Sequence, residues 1–367
     1  MGSDDRQALL EARVAELERW WEQIEAIAER VSRAFPAVRP RYPGSGRRRG
    51  GREEVVLLQI SDTQCGAKVS RDETGGLSEY GEATFLSRME RYKETVHVLV
   101  NEVIRSSVPV HNCVVVLGGD FIEGELIFRG QQMHIDQPWA AQVFTAVHEL
   151  AGLIHYLSGM FDRVRVETVD GNHGQVYGST LNLDFLAYLF MRQLLVKQRN
   201  VEWRISTGHM NAFEIGPEMF SHAENLHPRT YLAIHGDQIR MNTGTPYYGL
   251  DRAYGKYLQL LGRPIETMLV GHFHTAGVGP DQSWAINGSW PGGSGYSIST
   301  LRAASRPQQW MWTVHAEVGV TSLRPIYLTD RAALAAQREQ LTPIAGPYHA
   351  DPNHWTNAEQ VAMAVEG

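Results

Sequence analysis

Five short apolar runs in this chain each end in a residue able to hold a cation, and that ordering constrains the fold more than any other feature. Leu57-Leu58-Gln59-Ile60 ends in Ser61-Asp62-Thr63-Gln64, and Val114-Val115-Val116-Leu117-Gly118-Gly119 ends in Asp120. Val166–Gly171 ends in Asn172-His173, Tyr231–Ile234 in His235-Gly236-Asp237, and Thr267–Val270 in Gly271-His272-Phe273-His274. A single Asp or His after a strand is an ordinary cap or turn residue. Open α/β sheets bind ligands at the carboxyl ends of their strands, so five such ends in order converge on one patch.

The strands expected are Val55–Ile60, Cys113–Leu117, Val164–Val169, Tyr231–Ile234, Thr267–Val270 and Trp284–Asn287, with helices over about 82–105, 138–159 and 180–199. Strands alternating with helices at these lengths indicate an α/β domain whose sheet is largely covered. Gln309–His315 and Val318–Leu328 lack intervening helices and suggest a second sheet.

The donor types suit a pair of divalent cations. Imidazole favours Zn²⁺, Fe²⁺ and Mn²⁺, and carboxylate or amide oxygen favours Mn²⁺ and Mg²⁺. Two ions about 3.5–4 Å apart need a shared ligand, which a carboxylate supplies. The His272-x-His274 spacing puts both imidazoles on one side of an extended segment.

The ordered set Asp62-x-Gln64, Gly119-Asp120, Gly171-Asn172-His173, His235 and Gly271-His272-Phe273-His274 resembles the signature of the calcineurin-like metallophosphoesterases over about residues 54–330. The resemblance implies a four-layer α/β/β/α sandwich that hydrolyses phosphate esters through attack by a hydroxide bridging two divalent cations. Asp62 and His274 hold the first, Asp120 bridges, and Asn172, His235 and His272 hold the second. His173 faces the substrate and stabilises or protonates the leaving oxygen. Two positions depart from the pattern. Gln64 stands where the family has His, which implies a weaker first site, or one that prefers Mn²⁺ over Zn²⁺. Gly174 stands where an acid commonly follows, so the partner of His173 is open between Asp237 and a backbone carbonyl.

The insertion Asp120–Asp136, with Arg129 and His134, and the stretch 287–297, with Trp290 and Tyr296, are similar to nuclease-like members from phages and prophages, relatives of the SbcD type. Those four residues are the expected substrate contacts, and Tyr247 and Tyr248 offer further aromatic faces on loops for stacking bases. DNA is thus the expected substrate. The alternatives are a phosphatase or phosphodiesterase for a small nucleotide or phosphoprotein, and a phage structural or scaffolding component.

The remainder divides into three. Residues 1–35 carry Leu10, Val14, Leu17, Trp21, Ile24, Ala28 and Val31 at alternating spacings of four and three, either a coiled-coil seam for a second copy or partner protein, or an amphipathic helix lying on the catalytic domain. Residues 36–53 are rich in Arg, Gly and Pro and read as a linker. Residues 331–367 hold a short helix and a tail. The chain of 367 residues is 43% apolar with a formal charge of −7, an ordinary globular balance that excludes a protein coated in basic surface. No apolar run reaches a membrane span of about 18 residues, no secretory start is apparent, and Cys65 and Cys113 are the two cysteines. A cytoplasmic protein is expected, in the host cytoplasm if phage-encoded.

Overall fold

In β1 (Glu54–Ile60) every residue after Glu54 is buried. Val56, Leu58 and Ile60 face one apolar cluster, and Val55 and Leu57 face another. A strand covered on both faces reads as a continuous apolar run, and layers on both sides follow from it. The computed structural model describes residues 33–40 and 53–329, apart from 75–77, 128, 177, 222–226, 241–245 and 294–304, together with positions 7, 11, 14, 15, 18, 19 and 22.

The first sheet has the order β11-β10-β1-β2-β3-β4. β2 (Val110–Leu117), β3 (Arg163–Thr168) and β4 (Val201–Arg204) run parallel to β1. The crossovers between them carry α1 (Glu82–Val98), α2 (Trp139–Met160) and α3 (Leu183–Leu194). These helices cover the outer face through Phe85, Met89 and Tyr92, Leu150 and Ile154, and Tyr188 and Met191. A π-helical turn, Leu99–Ile104, continues α1. The α1 amino end has no cap of its own; Asp136, at the end of the insertion, accepts the Glu82 N–H at 2.7 Å.

The second sheet has the order β5-β6-β7-β9-β8. It comprises β5 (Met210–Ile215), β6 (Arg229–Ile234), β7 (Thr267–Val270), β8 (Gly277–Val278) and β9 (Trp284–Ile286). Its inner face, with Phe213, Tyr231, Ala233 and Leu269, meets Val55, Leu57, Val114 and Val116 of the first sheet. Its outer face packs on α4 (Tyr247–Leu261) through Leu250, Tyr254 and Leu258. The result is two sheets flanked by helices, the expected α/β/β/α layering.

Two expectations change. The late strands β10 (Gln308–His315) and β11 (Gly319–Tyr327) do not form the second sheet. β10 pairs antiparallel with β1, and Trp312 and Val314 complete the layer between the sheets. It is β6, β7 and β9 that form the other sheet, so the strand ends converge across the mouth of a sandwich. α4 was not anticipated, because Gly249 and Gly255 dilute its helical pattern. Tyr247 and Tyr248 therefore sit on its first turn and not on a loop.

The segment 33–40, which opens the Arg/Gly/Pro-rich stretch, is tied to the helical layer. Phe35 N–H donates to Leu194 O at 3.0 Å, and Pro36 O accepts from the His155 ring at 2.9 Å and from Gln198 Nε2 at 2.6 Å. The described positions between 7 and 22 are helical and exposed, Val14 among them. The other seam residues, positions 41–52, and the expected C-terminal helix and tail lie outside the described residues. No described helix is long and apolar enough to cross a membrane.

Candidate metal centre

The backbone itself marks the site. Seven described non-glycine residues have positive φ, and five are expected ligands: Asp62 (53°), Gln64 (43°), Asp120 (55°), His272 (67°) and His274 (60°). Left-handed backbone costs a side-chain-bearing residue about 1–3 kcal/mol and persists only where the surroundings enforce it. β1, β2 and β7 thus each end in a sharp backbone reversal at their expected ligands. The extended His-x-His segment is accordingly corrected: two left-handed residues flanking Phe273, not strand periodicity, bring the imidazoles together.

The loops after β1 and β2 lie side by side, with Asp62 N–H on Gly119 O and Gln64 N–H on Asp120 O, both at 3.0 Å. Gly119 and Gly171 bring the β2 and β3 ends so close that a Cβ on Gly171 would stand 2.1 Å from Asp120 Oδ1. His173 N–H then donates to that oxygen at 2.8 Å.

The centre of the cluster is acceptor-rich. His235 is fully buried, and its Nδ1–H donates to Gly118 O at 2.8 Å. That leaves Nε2 facing Asp120 Oδ2 (3.0 Å) and Asn172 Oδ1 (3.1 Å). Asp120 Oδ2 is buried without a hydrogen-bond donor. Two oxygens and a ring nitrogen facing one another this closely need positive charge between them, which a proton on His235 or a metal ion supplies. Donor atoms of Asp120, His235 and His272 lie within 4.8 Å of one another, so His272 closes the same group. The residues fit a divalent ion by donor chemistry as well as by convergence.

Burial alone would lower the His235 imidazole, but the Asp120 carboxylate overrides it and pushes it up to about 10. Asp120 is held well below the usual carboxylate range by His235 and His173, against the effect of burial. His272 goes the other way. Burial, then the charge on His235, bring it down to about 4, leaving a neutral imidazole near pH 7. In the metal-free protein the raised His235 value contributes stability that is complete below its ordinary 6.5 and lost as pH climbs through about 10. An incoming cation must displace that proton. Apparent metal affinity is expected to rise about tenfold per pH unit between about pH 6.5 and 8.5, measured by competition with a chelating indicator. A flat profile would remove His235 from the ligand set.

The second group surrounds Asp62. Its Oδ1 accepts the His272 N–H at 2.9 Å and lies 3.4 Å from His274 Nε2, and its Oδ2 accepts the Ser61 hydroxyl. The Gln64 amide lies 3.1 Å from His274 Nε2. Asp62, Gln64 and His274 are thus gathered, with Asp120 across the paired loops.

Sequence reasoning missed two carboxylates. Glu123, three residues after Asp120, is the partner of His173: its carbonyl accepts the His173 Nδ1–H at 2.7 Å and its Oε2 lies 3.5 Å from the same nitrogen. Of the two candidates a backbone carbonyl, that of Glu123, fills the role and Asp237 does not. A Cβ on Gly174 would stand 2.3 Å from Asn182 Oδ1 and 3.0 Å from the Asp184 backbone nitrogen. A side chain after His173 would require Asn182 to shift, and the acid beside His173 comes from the β2 loop. Asp184 is fully buried, and its two oxygens accept N–H groups of Asp120 (2.8 Å), Gly171 (2.9 Å) and Phe121 (3.2 Å). One carboxylate therefore clamps the ends of β2 and β3. Burial, then Asp120, lift it to about 6.

No family model and no curated protein matches the chain. Among solved structures it is similar to zinc-complexed Vps29 from Entamoeba histolytica, at 13% identity over 75% of this chain and 99% of that one, with a TM-score of 0.30. A conserved Streptococcus pneumoniae protein described as a predicted phosphoesterase shares 13% identity over 74% and 97%, with a TM-score of 0.26. A novel archaeal phosphodiesterase shares 10% over 74% and 99%, at 0.31. The site's own geometry carries the reading that follows.

The expected substrate contacts separate. Trp290 is fully buried between Phe85 and Tyr92, at ring distances of 5.7 and 5.8 Å, so it has no face for a base and belongs to the core. Its backbone N–H donates to Asp62 O at 3.0 Å, which ties that loop to the site from behind. Arg129 is exposed on the insertion. His134 is also exposed, 3.7 Å from Glu73. Tyr296 lies outside the described residues. Tyr247 stacks on Trp284 at 5.5 Å, and Tyr248 is 67% exposed. Cys65 and Cys113 are buried free thiols, pushed up by burial, with no catalytic character.

Proposed function

We propose that the chain is a phosphodiester hydrolase dependent on two divalent cations, with nucleic acid as its substrate. The observation that carries this is the convergence of Asp120 Oδ2, Asn172 Oδ1 and His235 Nε2 within 3.0–3.1 Å contacts, with His173 beside them. Asp120, Asn172, His235 and His272 would hold one ion, and Asp62, Gln64 and His274, with Asp120 shared, the other. When bound, the ions supply Lewis-acid neutralisation of phosphoryl charge and an ionised water.

His173 keeps one proton on Nδ1, fixed by Glu123 O, and presents Nε2 to the cleft 4.0 Å from Asp120 Oδ2. Burial lowers its affinity for a second proton, but Asp120 and Glu123 outweigh that and raise it. An imidazolium there can give a proton to a departing alkoxide. Among the described residues no Lys or Arg forms an ion pair with any of the expected ligands. A site without such cations suits the single charge of a diester better than the dianion of a monoester. Tyr248 offers an exposed aromatic face at the start of α4, beside Tyr247, whose hydroxyl lies 3.8 Å from where a Cβ on Gly277 would stand, three residues past His274.

Product release from end-labelled single- and double-stranded DNA in Mn²⁺ tests the reading, comparing wild type with His173→Ala. Cleavage lost by about 10²-fold or more in the variant is the expected result. A metal-loaded protein that leaves both DNAs intact while hydrolysing nucleotides or phosphomonoesters would replace nucleic acid with a small phosphate ester.

A further inference from the structure

The outer part of the insertion after β2 reverses the usual rule. Leu126 and Met133 are 72% and 82% exposed, while Gln131 is fully buried. The buried amide uses both of its N–H groups on one residue: Nε2 donates to Glu123 O at 2.7 Å and to Glu123 Oε1 at 2.9 Å. Its oxygen accepts the Ile127 N–H at 2.8 Å, which closes the loop on itself. Glu123 O is the atom that also accepts His173 Nδ1–H, and Glu123 Oε2 is the carboxylate oxygen nearest that nitrogen. The next peptide is pinned too, with Gly124 N–H on Gln142 Oε1 at 2.8 Å.

We propose that Gln131 is a positioning residue for His173, acting through Glu123, so that the insertion is part of the proton-transfer apparatus. The proposal rests on the assignment of His173 as the proton donor made above. A glutamine serving only loop stability would be satisfied by the backbone groups of Glu123 and Ile127. Gln131 spends its second N–H on the carboxylate facing the imidazole. Its donors fix the Glu123 side chain with Oε1 turned to the loop and Oε2 turned to His173. Removing them frees a buried carboxylate to rotate, and the His173 ring loses its fixed orientation. The insertion thereby couples loop placement to the ease of leaving-group departure. A polynucleotide that displaced the loop would alter the chemistry and not only the affinity.

The test uses the full chain loaded with Mn²⁺ and a series of aryl methyl phosphodiesters, from nitrophenyl to phenyl leaving groups. A good leaving group departs without a proton; a poor one needs it. His173→Ala is expected to lose far more kcat on the phenyl ester than on the nitrophenyl ester. Gln131→Leu should follow the same trend at lower amplitude, about tenfold on the phenyl ester and within about twofold on the nitrophenyl ester, with KM and bound Mn²⁺ unchanged. Gln131→Glu keeps the length but cannot donate while ionised, and serves if the leucine variant fails to fold. In ¹⁵N-histidine spectra of the metal-free protein, the His173 Nδ1–H signal should exchange faster in either variant. A steep trend in His173→Ala with a flat one in both Gln131 variants would overturn the proposal and leave the function standing. A flat trend in His173→Ala would overturn the proton-donor assignment itself.

Discussion

Replacing Asp120 with asparagine is expected to abolish tight binding of both cations and to lower turnover by about 10³-fold or more, and to remove from the metal-free protein the stability that the raised His235 value contributes near neutral pH. Oδ1 accepts the His173 N–H, so the new amide must place its oxygen there and its nitrogen at the Oδ2 position. The amide then offers an N–H to the His235 Nε2 lone pair, which stands 3.0 Å away. The substitution would seal with a hydrogen bond the point proposed for a cation. Metal content after dialysis against Mn²⁺, beside an unfolding curve in chelator, separates the two effects. Two tight ions retained in Asp120→Asn would refute the bridging assignment.

Asp184→Ala should have the largest effect on folding. Three buried N–H groups would lose their acceptor together, those of Asp120, Phe121 and Gly171. At about 1–3 kcal/mol for each stranded donor, with some relaxation, a loss of about 3–5 kcal/mol follows, along with weaker metal binding as the β2 and β3 ends part. Asp184→Asn should cost less, and pH should modulate the difference. The folded value of about 6 lies above the ordinary 3.8. The stabilising protonated form is thus complete below about pH 4 and is lost as pH rises through about 6. Wild type pays that penalty and the asparagine variant does not, so the gap between them should narrow from pH 4 to 7 in chemical denaturation of the metal-free protein. A constant gap would mean that the Asp184 charge is compensated by groups other than those described.

The convergence of these side chains was legible because each sits at a boundary between an apolar run and a turn, and such boundaries survive in one dimension. Layering was legible for a related reason: strands buried on both faces carry no polar alternation, and β1 shows none after Glu54 apart from the buried Gln59. What escaped depends on chain segments meeting across long separations. Trp290 sits in a Gly- and Pro-rich stretch that looks like a binding loop, and only the arrival of Phe85 and Tyr92 from α1 makes it core. Asp184 resembles a first-turn helix acid, with Asn182 as its cap, yet its carboxylate serves two strand ends. Glu123 read as part of a substrate loop until the fold of that loop set it against His173. The placement of β10 against β1 followed from the free edge of the first sheet, which no local pattern announces.

The left-handed backbone at Asp62, Asp120, His272 and His274 also bears on how such a centre changes over generations. Asp, Asn, His and Gly tolerate that conformation far better than β-branched residues do. The main chain therefore screens the replacements that mutation offers before chemistry does. Neutral drift at these four corners would tend to exchange one potential donor for another, or for glycine, and rarely for valine or isoleucine. A descendant that had lost catalysis would still carry much of the vocabulary of a metal site. Recovery of an active form from it would require few substitutions, because the scaffold would have kept rejecting the residues that make the loss permanent.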